Sequence, residues 1–293
     1  MKVSIIIINY NTFQLTCNCI ESVIQHTHKV DYEIILVDNA SVECPPPLFK
    51  EKFPEIILIE NKDNGGFAKG NNLGIEKATG DYILLLNSDT YLTEDSISIA
   101  SEAFKDKVTG ALGVRMVYPN QRIQYSARRF RSIAWELLDL ARFIPLVMPY
   151  KNRAKLMLGK YFNVDFSTSC DWVNGAFFMF PKEIISKLPT HKLDERFFMY
   201  GEDQLWCYQF TNLGYPSYFL ADTTIVHINN GSTKKERQLQ LILKMIKNEL
   251  EIMRARKGKG AYYYLFCAIY LSKEYARYAI KYILFKLNGK LIR

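Results

Sequence analysis

The sequence predicts an α/β chain with a mostly parallel central sheet flanked by helices and a helical extension towards the carboxyl end. Three observations predict it. Short β-branched runs at residues 3–8, 33–37, 56–59 and 82–86 alternate with stretches of helical apolar spacing, as right-handed crossovers between parallel strands require. The run at 82–86 is β-prone and flanked by polar residues, as a central strand covered on both faces would be. At 293 residues, 48% hydrophobic and 14% aromatic, the chain can bury a large core as one domain or as one domain with an appendage.

The opening MKVSIIIINYN carries too brief an apolar run for a signal peptide and no small-residue cleavage site, so it reads as a first strand. No stretch has the apolar length of a membrane span, and the chain is expected in the cytosol. Cys17, Cys19, Cys44, Cys170, Cys207 and Cys267 form no CxxC pair and read as reduced thiols, without zinc or disulfides. The net charge of +8 is unevenly placed, because residues 231–293 hold 15 Lys and Arg against 4 Asp and Glu. A basic tail on a mildly acidic body points to an anionic partner for the tail.

Taken in order, the first run closes in Asn9-Tyr10-Asn11, residues 15–25 carry helical spacing, and the second run ends at Asp38-Asn39-Ala40-Ser41. The third run leads into a Gly-rich stretch, NKDNGGFAKGNNLG, and the fourth ends in Asn87-Ser88-Asp89-Thr90. Ligands of such sheets gather at the carboxyl ends of the strands, where Tyr10, Asp38 and Asp89 all fall. Asn87 and Asp89, at i and i+2 on a strand end, point the same way and offer hard oxygen ligands to Mg²⁺ or Mn²⁺. Taken alone, NSDT is also an ordinary turn sequence. The glycines would let backbone N–H groups approach a phosphate, with Lys69 adding charge, although the spacing is neither GxxxxGK[ST] nor GxGxxG and a plain turn capping a helix is the alternative.

From 110 to 160 basic residues gather around an apolar segment at 133–148. The segment reads either as a solvated charged face or as a site for an anionic, partly greasy acceptor. WVNGAFFMF at 172–180 is another buried run, and FFMYGED ends in the adjacent acids Glu202 and Asp203. A partly apolar wall there would raise a carboxyl group towards the range of a general base; acids after a glycine are also common at helix N-termini. His227 follows a strand-like run, where a lone histidine is usually structural. Beyond Ser232, residues 239–250 have helical spacing with basic residues on the polar side, and aromatic stretches follow at 261–271 and 275–287. A basic amphipathic helix with interleaved Tyr and Phe suits an anionic membrane surface; a packed homodimer contact is the structural alternative. No nucleic-acid signature is present.

The ordered set SIIIINYN, ILVDNAS, NGGFAKGNNLG, DYILLLNSDT, WVNGAFF, LDERFFMYGED and VHINNGS resembles the family 2 inverting glycosyltransferases, specifically their bacterial rhamnosyltransferase-like branch, over about residues 3–233. The resemblance implies the Rossmann-like GT-A fold over 1–230, with a nucleotide-sugar half to about 110 and an acceptor half to 230, and a basic helical tail over 231–293. It implies that Tyr10 and Asp38 hold the base of the nucleotide. It places the loop with Asn64, Gly65, Gly66, Lys69 and Asn72 along the diphosphate, and gives Asn87, Ser88 and Asp89 the DxD position. Asp89 would ligate a divalent metal with His227, Asp203 would be the catalytic base with Glu202 beside it, and Trp172, Gly175 and Ala176 would wall the sugar and acceptor. Two departures stand out: Asn87 replaces the first acid of DxD, as this branch often has, and Gln204 to Cys207 with Gln209 replaces the more frequent V-D-L-C and Arg.

The implied reaction is transfer of a sugar, rhamnose by the branch resemblance, from a nucleotide diphosphate to a saccharide hydroxyl. The acceptor would be polyprenyl-diphosphate-linked, at the inner face of the cell membrane, in O-antigen or capsule synthesis. Two other readings remain: a sugar nucleotidyltransferase, disfavoured because no Gly-rich loop with a following Arg and Lys stands near the amino end, and a non-catalytic sugar-nucleotide binder in a membrane-bound assembly.

Overall fold

The structure is a computed structural model that describes residues 1–105, 108–229 and 235–288. The chain runs β1 (Lys2–Asn9), α1 (Phe13–His26), β2 (Asp31–Asp38), α2 (Pro47–Lys52), β3 (Ile57–Glu60), α3 (Gly66–Lys77), β4 (Tyr82–Asn87), β5 (Thr90–Leu92), α4 (Ser96–Glu102), β6 (Leu112–Val117), β7 (Ile123–Gln124) and β8 (Ala127–Arg128). Next come α5 (Ile133–Leu140), α6 (Phe143–Val147), α7 (Tyr150–Met157), β9 (Thr168–Cys170), β10 (Trp172–Val173), β11 (Phe177–Pro181), α8 (Glu183–Lys187), α9 (Glu202–Asn212) and β12 (Ser217–His227). The helices α10 (Lys235–Lys257) and α11 (Ala261–Asn288) follow.

Two compact units result: Met1–Arg129 with Ala154–Asn229, and Phe130–Arg153 with Asn230–Arg293. In the first, the sheet order is β3-β2-β1-β4-β11-β6-β12-β5. β1 pairs in parallel with β2 and β4, so Asn9 lies opposite Asp38 and Ile8 opposite Asn87. The register therefore brings three polar strand ends to one edge. β11 runs antiparallel to β4, β12 runs parallel to β6, and β5 runs antiparallel to β12. This is the expected mixed α/β architecture with a mostly parallel centre.

The strands with consecutive apolar residues are covered on both faces, as their pattern predicts. Ile5, Ile7, Leu84, Leu86, Phe177 and Met179 join one buried cluster, while Phe178 and Phe180 on the opposite face of β11 pack on Trp206 and Phe210 of α9. The run at 172–180 is not one strand. It breaks at Asn174-Gly175-Ala176, between β10 and β11.

The second unit holds α10 against α11 through Ile246, Met253, Phe266 and Tyr270. The stretches at 261–271 and 275–287 lie in one continuous helix, α11. Glu136 and Asp139 of α5 are fully buried. Lys273 bonds Glu136 and lies 3.1 Å from Asp139; Arg277 reaches Asp139 at 2.7 Å and Arg131 reaches Glu136 at 2.9 Å. Buried carboxylates persist only when paired in this way. Asn230, Gly231 and Ser232 of the VHINNGS motif lie outside the described residues. Among those described, no helix is long and apolar enough to cross a membrane. The six cysteines are free thiols, and burial pushes Cys19 up to about 12.

At the amino ends of the strands, Glu33 ties β2 to its neighbours. It accepts from Ser4 Oγ at 2.5 Å, from the Thr79 N–H at 2.6 Å and from Lys2 Nζ at 2.9 Å. Burial opposes ionisation, yet the hydrogen bonds from Ser4, Thr79 and Lys2 outweigh it and hold the carboxyl down at about 2. A depressed folded pKa adds stability above the unfolded value, about 4.3, and that stability is lost as the pH falls towards 2. Glu33→Gln should therefore flatten the fall in urea midpoint between pH 5 and 2, and an unaltered acid dependence would remove this group from the account.

Candidate functional site

Most of the residues named from the sequence lie at the carboxyl edge of the parallel strands. Tyr10 follows β1 and is half exposed. Asp38, at the end of β2, is buried; its Oδ2 accepts from Asn9 Nδ2 at 2.6 Å and its Oδ1 from the Ser41 N–H at 2.8 Å. Asn9 Oδ1 in turn accepts from Thr12 Oγ1 at 3.0 Å and Thr16 Oγ1 at 2.8 Å. Thr12 Oγ1 lies 3.2 Å from Ser88 Oγ. One polar network thus spans the ends of β1, β2 and β4, with Asn9, unmarked in the sequence, at its centre.

Asn87 ends β4, and Asp89 sits in the turn before β5. Thr90 pairs with His227 across β5 and β12, and the Ile228 N–H donates to the Asp89 carbonyl at 2.9 Å. This ladder sets His227 Nε2 3.2 Å from Asp89 Oδ1. Gln124 of β7 fixes the imidazole: its Nε2 donates to the His227 carbonyl at 2.5 Å, and its Oε1 stands 2.9 Å from Nδ1. With Nδ1–H donating to Gln124, Nε2 is the nitrogen turned to the carboxylate, and in the neutral ring its lone pair faces Asp89. Two acceptors facing each other suit a cation held between them, and the Gln124 contact has the outer-shell form that orients ligating histidines. Among the described residues no cluster of three or more His, Cys, Asp or Glu forms, so a metal here would take its remaining ligands from elsewhere.

The break between β10 and β11 supplies the third part. The Gly175 N–H donates to Asp203 Oδ2 at 3.0 Å, the Ala176 N–H to Asn174 Oδ1 at 2.8 Å, and the Ala176 carbonyl accepts from the Asn87 N–H at 3.1 Å. Asp203 stands in the first turn of α9, which Gly201 enters at a φ of 99°; its Oδ1 accepts from the Gln204 N–H at 2.8 Å. Burial nevertheless raises its carboxyl above the ordinary range, against the Gly175 and Gln204 amides and the Arg128 charge. Of the two adjacent acids, Glu202 is buried and Asp203 is partly exposed. Trp172 donates from Nε1 to the Arg129 carbonyl at 3.3 Å, while the Arg128 guanidinium lies 5.3 Å over its ring. Arg128 is a second residue that sequence reasoning left in the general basic run; the pairing of Trp172 with Arg128 across β10 and β8 is what selects it.

The Gly-rich loop opens α3. Asn64 Oδ1 accepts from the Gly66 N–H at 3.0 Å, and the Phe67 N–H donates to the Phe198 carbonyl at 3.1 Å. Two of the first amides of α3 are therefore engaged within the protein. Lys69 is exposed beside Asp63, 3.4 Å away. Asn72 is buried and holds the segment ahead of α9: it donates to the Leu193 carbonyl at 2.9 Å and to Glu195 at 2.8 Å, and accepts from the Leu193 N–H at 2.9 Å. Gln209 donates to Asp194 Oδ2 at 3.1 Å within the same segment.

The family model for Glycosyl transferase family 2 matches residues 4–172. A poly(ribitol-phosphate) beta-glucosyltransferase of Bacillus spizizenii is 36% identical over 102 residues, which is 33% of this chain and 16% of that much longer protein. The structure of TarS 1–349 from S. aureus in complex with UDP-GlcNAc superposes with a TM-score of 0.56 at 16% identity, covering 99% of this chain and 77% of that one. The mannosyltransferase PcManGT of Pyrobaculum calidifontis, in complex with GDP-Man and Mn²⁺, gives 0.61 at 15% identity over 99% and 76%. At these identities the two structures establish a shared fold.

Gly66 adopts a φ of 84°, and a Cβ there would lie 2.4 Å from the Phe198 carbonyl oxygen. Gly66→Ala should destabilise the protein by about 1–3 kcal/mol through left-handed strain and overpacking against backbone. Urea unfolding measures the loss, and an unchanged midpoint would contradict the close approach.

Proposed function

From the premise that this chain belongs to glycosyl transferase family 2, we propose that it transfers a sugar from a nucleotide diphosphate to a saccharide hydroxyl with inversion at the anomeric carbon. The observation that carries the reading is that Asp89 and His227 meet at the edge where Tyr10 follows β1 and Asp38 ends β2, with Asp203 tied to that edge through Gly175-Ala176 and Asn87. In this reading Tyr10 and Asp38 hold the base. Asn64, Gly65, Gly66 and Lys69 border the diphosphate together with Asn87 and Ser88, and Asn72 acts through the segment it anchors. Trp172, Gly175 and Ala176 wall the sugar and the acceptor.

Asp203 takes the proton of the acceptor hydroxyl as that oxygen bonds to the anomeric carbon and the bond to the diphosphate oxygen breaks. The Gly175 and Gln204 amides orient its carboxylate, and its raised proton affinity suits a base. Asp89 and His227 Nε2 would hold a divalent metal, which when bound neutralises the charge of the leaving diphosphate. Gln124 keeps Nε2 turned to that position, and hard-cation sites with few protein ligands are completed by phosphate oxygens. Glu202 is the buried neighbour of Asp203 in the first turn of α9.

The branch resemblance favours a rhamnosyl donor. Structural neighbours were determined with UDP-GlcNAc and with GDP-Man, so the panel of donors to be tested is wide. The acceptor is proposed to be a phosphate-rich saccharide, lipid-linked at the inner membrane face as in O-antigen or capsule synthesis; the poly(ribitol-phosphate) relative supports the phosphate-rich part. The basic tail favours peripheral membrane association.

The test is nucleotide diphosphate release from a panel of sugar nucleotides with Mg²⁺ or Mn²⁺, with and without EDTA, in the presence of candidate acceptors. Asp203→Asn should lower turnover by about 10²- to 10⁴-fold while donor affinity stays within about twofold; undiminished turnover would end its assignment as the base. Arg128→Met removes a charge that favours the ionised carboxylate, so the acid limb of the kcat/KM profile should move to higher pH. A limb that stays in place, or moves down, would show that Arg128 does not set it.

A further inference from the structure

The helix α5 is built inside out. Its acids Glu136 and Asp139 are its buried residues, held by Lys273, Arg131 and Arg277. Its Leu137 and Leu140 are exposed, and in α6 the exposure rises to 71% at Phe143 and 82% at Val147, with Ile144 and Leu146 also exposed. A helix on a water-facing surface has the opposite pattern, apolar inward and charged outward. Within this unit the same holds for α11, where Lys273 is buried while Tyr275 and Ile280 are exposed.

We propose that the surface formed by α5 and α6 seats the protein on an anionic bilayer, with Phe143, Leu146 and Val147 entering the boundary between headgroups and acyl chains. Charge selects the occupant. Between residues 130 and 153 the only acids are Glu136 and Asp139, both withdrawn from the surface, whereas Arg142 and Lys151 are exposed. Such a face attracts anionic headgroups. Two copies placed face to face through α5 and α6 would bring Arg142 and Lys151 of each together with no exposed acid from this stretch to pair them, which disfavours self-association. The helices lie on the membrane: α5 has 8 residues and α6 has 5, far below the roughly 20 needed to span a bilayer. This inference rests on the peripheral-membrane part of the proposed function and assigns it to a surface distinct from the tail's basic residues; it is independent of the transfer chemistry.

The test is co-sedimentation of the full chain with vesicles of phosphatidylcholine alone or of phosphatidylcholine and phosphatidylglycerol at 70:30. Wild type and Phe143→Ser/Val147→Ser are compared, with thermal unfolding and light-scattering mass measured for both. Both substituted side chains are exposed, so the melting temperature should not change. Wild type should bind the anionic vesicles, and the double variant at least tenfold more weakly at the same monomeric mass. Arg142→Glu should weaken binding to the anionic vesicles alone. Equal binding by wild type and double variant would place the seat elsewhere, in the tail, and overturn this inference while leaving the membrane reading intact. Failure of wild type to bind either vesicle would overturn both. A wild-type dimer that the double variant dissolves would make the face a contact between copies and overturn the bilayer assignment.

Discussion

At Asn174, Gly175 and Ala176 the chain passes from pairing with β8 to pairing with β4, and its backbone groups there hold both halves of the candidate site. Gly175 gives its amide to Asp203 on α9, and Ala176 gives its carbonyl to Asn87 at the end of β4. The Ala176 carbonyl extends the β11–β4 pairing by one residue, while the Gly175 amide goes to the carboxylate instead of to a strand. This crossing thus sets a carboxylate and an oxygen-rich strand end on either side of one short loop, each held by a backbone group of that loop.

The carboxylates at this edge are treated differently by their surroundings. Asp203 is pushed towards its protonated form by burial, whereas Asp38 accepts from the Asn9 side-chain amide and the Ser41 N–H, and Asp89 faces the His227 ring. Placing acids of the same kind in unlike environments is a general way for one site to hold a proton-accepting group beside a charge-binding one. Gln124 belongs to this division, because it sets the imidazole tautomer and with it the direction of the Nε2 lone pair.

The inner parallel strands β1, β2 and β4 were legible because their consecutive apolar residues are buried on both faces and the polar residues that end them mark the ligand edge, whereas the equally apolar β3 lies half exposed at the sheet's margin. What stayed hidden depends on pairing between distant segments. Nothing local marks Gln124 as the partner of His227, or Arg128 as the neighbour of Trp172, since short antiparallel ladders leave no periodic signature. The 172–180 run shows the limit in another form: its hydrophobicity was plain, but its division depends on β10 pairing with β8 and β11 pairing with β4. The acids of α5 mislead for the same reason. Local pattern turns them to water, and only their partners on α11 explain why they are inside.

The segment from Leu193 to Phe198, which leads into α9, is fastened to α3 at two points: Asn72 grips Leu193 and Glu195, and the Phe67 amide meets the Phe198 carbonyl. The glycine loop and the helix bearing Asp203 therefore cannot drift apart one at a time. Inherited changes in either segment must be read in the context of the other, since substitutions sharing a hydrogen-bonded contact do not combine additively. A lineage that alters the loop should acquire compensating changes at 193–198 in step, so this clasp acts as a source of epistasis that channels how the family can diversify.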